Sequence, residues 1–513
     1  MGPGVPRTAR LYVRGAAARR GRKGAPRRLA FLRAALLRPC VACSGHDRPH
    51  QQLCRGVSAV RLPLSAGAAA FLAADHGLSP AADLTAAATG KRRVTRDGRS
   101  AYHSPLIPHH SIRSVMEIAF IVDEFPSVSE TFVLNQIVGL LERGHRVDVY
   151  AHVLGRGIEH PDIGRFRLRE RVQRLGCPRT YWARLGAAVR LASAHAGRPQ
   201  AMARALNVAR YGRRALSLSL LVETAPFHRR YDIVHCQFGH NGRFGAVLKQ
   251  LGLQRKLVVT FHGWDIRAGL ERGGAIYDEV WRAADCLIAI SRYNREQLLR
   301  LGAEAKKITE HPVGIDCRRF AYRAAASGRR TIRLVTVARL VEEKGIAIAL
   351  EALALLGKEN PAPEIQYEIV GDGPLRATIE RTIAQLGLSD RVRLSGALSQ
   401  DGVIAALQAA DVFLLPSLVE ALPVSLMEAH AIGLPALATR VGSVEQIVQE
   451  NVSGLLVPAG DAAALAVGLR QLIARREEWP DMSRAGRRRV ETHYDIDRLN
   501  DRLVEIYRHV LAA

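Results

Sequence analysis

From Met116 onward, short apolar runs rich in β-branched residues alternate with helical stretches: "IAFIV", then "SETFVLNQIVGLLERG", then "RVDVYA", and later "DIVHCQF", "KLVVTFHG" and "CLIAIS". That alternation predicts a parallel sheet covered by helices, because each helix returns the chain to start the next strand in the same direction. A second series begins after "HPVGID": "IRLVTVARL", a helix through "GIAIALEALALL", "YEIVGDGP", a helix through "RATIERTIAQLG", "RVRLSG", "DVFLLPS" and "PALAT". Two α/β, Rossmann-like units in tandem, each of about 150 to 200 residues, fit the length. The expected division is residues 116–315, residues 316–485, and a closing amphipathic segment over 486–513 that packs back on the first unit.

The 115 residues ahead of this pattern are of a different kind. They hold 20 Lys and Arg against 4 Asp and no Glu, a net charge of +16 out of the chain's +26. Three readings compete: a basic arm for nucleic acid or anionic membrane, a targeting peptide, and an extension outside the folded protein. The third is favoured, since residues 1–115 are rich in Ala, Arg, Gly and Pro without periodicity and Met116 opens the first strand. Met116 is therefore the expected start, and peptides upstream of it in native protein would refute this. As a signal peptide the segment is poor, because "LAFLRAALL" is broken by Arg33. No 18-residue uncharged apolar run occurs, so no spanning helix is expected. Cys40-x-x-Cys43 with Cys54 lacks a second pair for a zinc site, and Cys177, Cys236, Cys286 and Cys317 read as reduced thiols of a cytoplasmic protein.

Residues 162–214 of the first unit hold 13 Arg, no Lys and two acids, Asp162 and Glu170. A solvated helical face accounts for such a run. The rival reading is a patch facing an anionic membrane or a charged acceptor, since the Arg are interleaved with Leu, Ala and Tyr. Nucleic acid is not expected, because no recognised binding motif accompanies the charge.

The candidate chemistry gathers at predicted strand ends. In "EALPVSLMEAHAIGLPALAT", Glu420 lies on the loop after the buried strand "DVFLLP", and Glu428 in the helix that Pro423 and Ser425 introduce and Gly433 closes. Open α/β sheets place ligands at such loops, and a helix N-terminus attracts anions and polar oxygens. Carboxylates accept hydrogen bonds from sugar hydroxyls while backbone amides favour phosphate, so a sugar joined to a phosphate satisfies both. The alternative is that Glu428 complements the helix dipole and Glu420 is solvated. Arg339 and Lys344 follow the strand "LVTVARLVEEKG" and suit a diphosphate held without metal. Gly371 and Gly373 of "VGDGP" permit close backbone approach, but without a third glycine they are not the dinucleotide fingerprint. In the first unit, His262 of "TFHGWD" stands at a strand end, followed by Gly263 and Asp265. Ser127, Ser129, Glu130 and Thr131 crowd the first strand-to-helix turn, where capping is their other role.

Taken together, "VARLVEEKG", "VGDGP", "EALPVSLMEAHAIGLPALAT" and "GSVEQIV" resemble the retaining glycosyltransferases of family 4, from Met116 to the C-terminus. "FPSVSETFVLNQIVGLLERGHRV", "FHGWDI" and "HPVGIDCRRF" resemble more narrowly the exopolysaccharide or colanic acid biosynthesis branch. The resemblance implies a GT-B fold, two Rossmann-like domains facing a cleft, with the donor nucleotide held mainly by the second and the acceptor by the first. It implies that Glu428 holds the ribose and Glu420 lies by the donor sugar. Arg339 and Lys344 bind the diphosphate and stabilise the leaving group. His262 stands near the sugar, and backbone around Gly371, Gly373, Ala421, Leu422, Pro423 and Val424 completes the pocket. Ser127, Ser129 and Glu130 form an acceptor or cleft loop. A nucleotide-diphosphate sugar is the expected donor and a glycan or lipid-linked molecule the acceptor. No metal or other cofactor is expected, and the implied location is cytoplasmic, with peripheral contact to the inner face of the cell membrane. Two departures, Val313-Gly314 for an Asn-Gly turn and His430 for a small residue, leave the donor contacts untouched. Other readings of the same architecture are a nucleotide-sugar epimerase and a non-catalytic nucleotide-sugar-binding protein.

Overall fold

A computed structural model describes residues 115–513 apart from 128–129, 156–159, 195–198, 228, 325–327, 329 and 359–363. The basic leader with Cys40, Cys43 and Cys54, and the candidate Ser129, lie outside the described residues.

The first sheet has seven strands: β1 Glu117–Phe125, β2 Arg146–Leu154, β3 Val172–Arg174, β4 Tyr231–Gln237, β5 Gln254–Phe261, β6 Cys286–Ala289 and β7 Ile308–Glu310. Their spatial order is β3-β2-β1-β4-β5-β6-β7, and every pairing is parallel. The second sheet has six: β8 Ile332–Val337, β9 Ile365–Val370, β10 Val392–Gly396, β11 Val412–Leu415, β12 Ala436–Thr439 and β13 Gly454–Val457. Their order is β10-β9-β8-β11-β12-β13, again all parallel. In both sheets the order reverses beside the first strand, between β1 and β4 and between β8 and β11. A crevice opens at such a point because neighbouring loops leave in opposite directions. Ile118 to Val122 of β1 are wholly buried, as expected of a central strand covered on both faces.

Strands β3, β7 and β13 have no counterpart in the sequence reading. Two of them are three residues long, and pairing rather than an apolar run creates them: Ile308 lies opposite Leu287, and Val172 opposite Val149. The Arg-rich insert folds into short helices around β3. Its longest, Tyr181–Ala194, packs on the helix Ser219–Thr224.

The C-terminal segment divides between the sheets. The helix Trp479–His493 packs on the helix Val424–Ile432 of the second unit. The chain then crosses at Tyr494, whose carbonyl accepts the Ile315 amide at 2.9 Å. The last helix, Ile496–Ala512, docks on the helix Thr131–Glu142 of the first unit. Its buried Tyr507 shares a 2.6 Å hydrogen bond with His235, which in turn meets Thr260 at 2.7 Å. The expected packing of the tail on the first unit holds for this final helix, while the preceding one belongs to the second.

Candidate functional site

The loops after β8, β9 and β11 are held together by backbone bonds. The Ala338 amide reaches Val370 O at 3.0 Å, the Leu340 amide reaches Asp372 O at 2.9 Å, and the Leu418 amide reaches Glu343 O at 2.8 Å. A side chain on Gly371, at φ +138°, would place Cβ 1.9 Å from Ala338 O, and one on Gly373 would lie 2.6 Å from Leu340 O. These glycines therefore have a task within the protein, the close crossing of two loops, apart from any ligand.

That crossing presents the two cations differently. Lys344 Nζ donates to Glu420 Oε1 at 2.6 Å, and Ser417 Oγ donates to the same oxygen at 2.7 Å. Glu420 is only 6 % exposed, so its charge stands on Lys344, which is itself 21 % exposed. The exposed Arg339 guanidinium makes no hydrogen bond or ion pair among the described residues; it lies within electrostatic reach of Glu343. The Glu420 backbone is fixed from behind by Gly442, where a Cβ at φ +53° would stand 1.7 Å from Glu420 O. Leu422 buries its side chain in the core, and Pro423 caps the helix Val424–Ile432 without an amide to donate.

Glu428 sits mid-way along that helix and does not meet Glu420. It faces a narrow cavity shared with Thr131, Asn135, His160, Arg319 and Gln400, drawn from both units. No hydrogen bond or ion pair reaches its carboxyl among the described residues. Burial pushes it up to about 7.

Across the cleft, the turn after β5 is organised by Asp265. This buried carboxylate accepts from the amides of Gly239 at 2.9 Å, His262 at 3.1 Å, Gly263 at 2.8 Å and Ile266 at 3.0 Å. Asp265 is thus an anchor of the loop. His262 Nε2 donates to Gln237 Oε1 at 2.7 Å, which leaves Nδ1 as an acceptor. Its ring lies 4.9 Å from Phe132 and 4.6 Å from Phe238, and this burial lowers it to about 3, so it is neutral at physiological pH. Gly263 is pressed against the second unit: a Cβ there would stand 2.8 Å from Ala421 Cβ. Arg267 and Glu343 pair across the cleft at 3.0 Å.

The strand-to-helix turn after β1 carries Ser127 and Glu130, both half-buried. Burial, with Asp123 and Glu124 nearby, pushes Glu130 up to about 7, and its Oε2 is enclosed without a partner among the described residues. Beside it is a group the sequence reading did not single out. Asp123 accepts from His240 Nε2 at 2.6 Å and Asn241 Nδ2 at 3.0 Å. Burial works to raise the Asp123 carboxyl, but these two partners bring it below its ordinary range. The signal available was the run "FGHNG" at the end of β4, polar residues where a strand delivers its loop.

Residues 323–489 match the model of the glycosyl transferases group 1, and residues 129–314 that of the glycosyl transferase 4-like domain. The amylovoran biosynthesis glycosyltransferase AmsK of Erwinia amylovora is 32 % identical over 396 residues, covering 74 % of this chain and 96 % of that one. The putative colanic acid biosynthesis glycosyltransferase WcaL of Escherichia coli K12 is 33 % identical over 371 residues, 68 % of this chain and 89 % of that one. Among solved structures, Anabaena Alr3699/HepE in complex with UDP superposes with a TM-score of 0.58 at 18 % identity, over 76 % of this chain and 99 % of that one. Sucrose-phosphate synthase from Thermosynechococcus elongatus follows at 0.57 and 21 %, over 77 % and 99 %. These structural likenesses establish the fold.

Proposed function

Since this chain belongs to the glycosyltransferases of group 1 and the 4-like class, we propose that it moves a hexosyl group from a nucleotide-diphosphate sugar, with retention, to a glycan or lipid-linked acceptor in exopolysaccharide or cell-surface polysaccharide synthesis. The observation that carries the donor half is the pairing of Lys344 with buried Glu420 beside exposed Arg339, which has no ion pair among the described residues, opposite the His262 turn. Cations at a strand end suit a diphosphate, and Glu428, half-buried and with no hydrogen bond to its carboxyl among the described residues, suits ribose hydroxyls. Backbone around Gly371, Gly373 and Ala421 to Val424 completes that pocket in this reading.

In the transfer itself, the acceptor oxygen bonds to the anomeric carbon from the face the phosphate leaves, and the anomeric carbon–phosphate oxygen bond breaks. The hydroxyl proton passes to the departing phosphate oxygen, and Arg339 and Lys344 stabilise the charge that develops there. Neutral His262 offers Nδ1 to a donor-sugar hydroxyl. No step asks a side chain to be a strong base, and none routes through a metal.

The test is binding and slow hydrolysis across UDP-, GDP- and ADP-sugars by the full chain, run with EDTA, beside Lys344→Ala and Glu428→Ala. One donor should bind and turn over without metal, and each variant should lose at least about tenfold in kcat/KM. Recovery of the sugar as its epimer, or no binding by folded protein, would sink the reading.

The insert between β2 and β4 supports a membrane-facing role. Trp182, Val189 and Leu216 are exposed among its Arg residues, Trp182 at 76 %. No helix among the described residues is long and apolar enough to cross a membrane. Contact by an Arg-rich interfacial patch at the inner membrane face fits both facts.

A further inference from the structure

Three adjacent strands of the first sheet, β1, β4 and β5, end at its switch point, and each brings a group to the same edge. Asp123 comes from β1, His240 from the first turn of the helix after β4, and Trp264 from the start of the helix after β5. Trp264 is 50 % exposed, with its ring centroid 5.0 Å from that of His240. Both donors to Asp123, His240 and Asn241, bind the same oxygen, Oδ1. Its Oδ2 has no hydrogen bond among the described residues, and the side chain is 38 % exposed. An ionised carboxylate with one oxygen fixed and one free therefore stands beside an open aromatic face.

Phe238 joins this edge to the donor side. Its backbone holds φ 69° and ψ 144°, a conformation costly for a residue with Cβ, secured by its amide on Thr260 O at 2.8 Å. The ring lies 5.8 Å from Trp264 and 4.6 Å from His262. Charge separates the two sides. Lys344 and Arg339 face the donor region, whereas Asp123 and Glu124 crowd this edge, lie close enough to raise Glu130, and repel a phosphate.

We propose that this edge is the acceptor subsite and takes a pyranose ring of a glycan, its hydroxyls on Asp123 Oδ2 and its apolar face on Trp264. A pyranose offers both features at once: C–H groups that stack on an indole and paired hydroxyls that donate to a carboxylate. His240 is a positioning residue that holds Asp123 Oδ1. The proposal rests on the transferase reading for what happens next to the bound sugar.

The experiment uses the full chain with octyl β-D-glucoside, octyl β-D-galactoside and octyl α-D-mannoside as probes. Binding is followed by saturation-transfer NMR, and glycoside transfer is measured relative to donor hydrolysis in the same reaction. At least one glycoside should show saturation on its ring protons. Trp264→Ala and Asp123→Asn should each weaken its binding about tenfold, a loss on the scale of one stacking contact or one charge-assisted hydrogen bond, and lower the transfer-to-hydrolysis ratio. Trp264→Phe, which keeps a smaller platform, should fall between. His240→Gln, whose amide can still donate to Asp123, should retain more binding than His240→Ala, an ordering that loss of packing alone would not give. Equal binding by the Trp264→Ala and Asp123→Asn proteins, or no binding of any probe by protein that still hydrolyses donor, would overturn the proposal. Glycoside binding that follows the expected pattern without hydrolysis of any donor would support the subsite and count against the transferase reading.

Discussion

Glu420 and Glu428 stand eight positions apart in the sequence and in different surroundings in the fold. Glu420 is matched by Lys344 and Ser417, whereas Glu428 has only burial acting on it, which pushes it up to about 7. Below that pH it is a neutral acid, and above it the carboxylate can accept from two ribose hydroxyls. Nucleotide affinity should therefore rise as pH increases from 6 to 8, by about tenfold, the scale of a hydrogen bond to a charged group. His160, in the same cavity, is held below its ordinary range by burial and Arg319, which favours its neutral form. Titration calorimetry with the nucleotide diphosphate of the preferred donor should give a weaker, flat profile for Glu428→Gln. A sloping profile in that variant would assign the effect elsewhere. The sequence identified the residue, but its missing partner became visible only with the chain folded.

At the scale of elements, the position of the glutamate loop depends on the turn after β12. Gly442 packs under Glu420 O at φ +53°. Gly442→Ala combines a left-handed conformation unfavourable by about 1–2 kcal/mol with a backbone clash that the loop must yield to. Urea unfolding should show at least about 2 kcal/mol of lost stability, and donor hydrolysis should fall with it as Glu420 leaves Lys344. Unchanged stability would mean that the loop is not fixed from behind. Strand and helix alternation was readable because period and turn residues act locally, and ten strands follow from it. β3, β7 and β13 were not readable, since their neighbours supply the order their short sequences lack. Gly371 and Gly373 were noticed for the right property, close approach, but its first partner is the loop after β8.

At the scale of the molecule, an Arg-rich insert lies on the unit that also carries the Asp123 edge. If it meets a membrane, the full chain should co-sediment with phosphatidylcholine vesicles containing phosphatidylglycerol and much less with phosphatidylcholine alone, and salt should weaken the association. Arg213→Ala should reduce partitioning about fivefold, from about 1 kcal/mol per cation near an anionic surface, and Trp182→Ser should reduce it further. Indifference to the anionic lipid would leave the insert a solvated face. The sequence by itself determined the tandem parallel sheets and placed Arg339, Lys344, Glu420 and His262 at strand ends, because apolar periodicity and turn chemistry are encoded within a few residues. Only the tertiary structure decided which charges are paired, which carboxyl has no partner among the described residues, and how the last helix docks on the first sheet. Those outcomes depend on residues far apart in the chain, 76 positions between Lys344 and Glu420 and 117 between Asp123 and His240, whose approach is set by packing and desolvation.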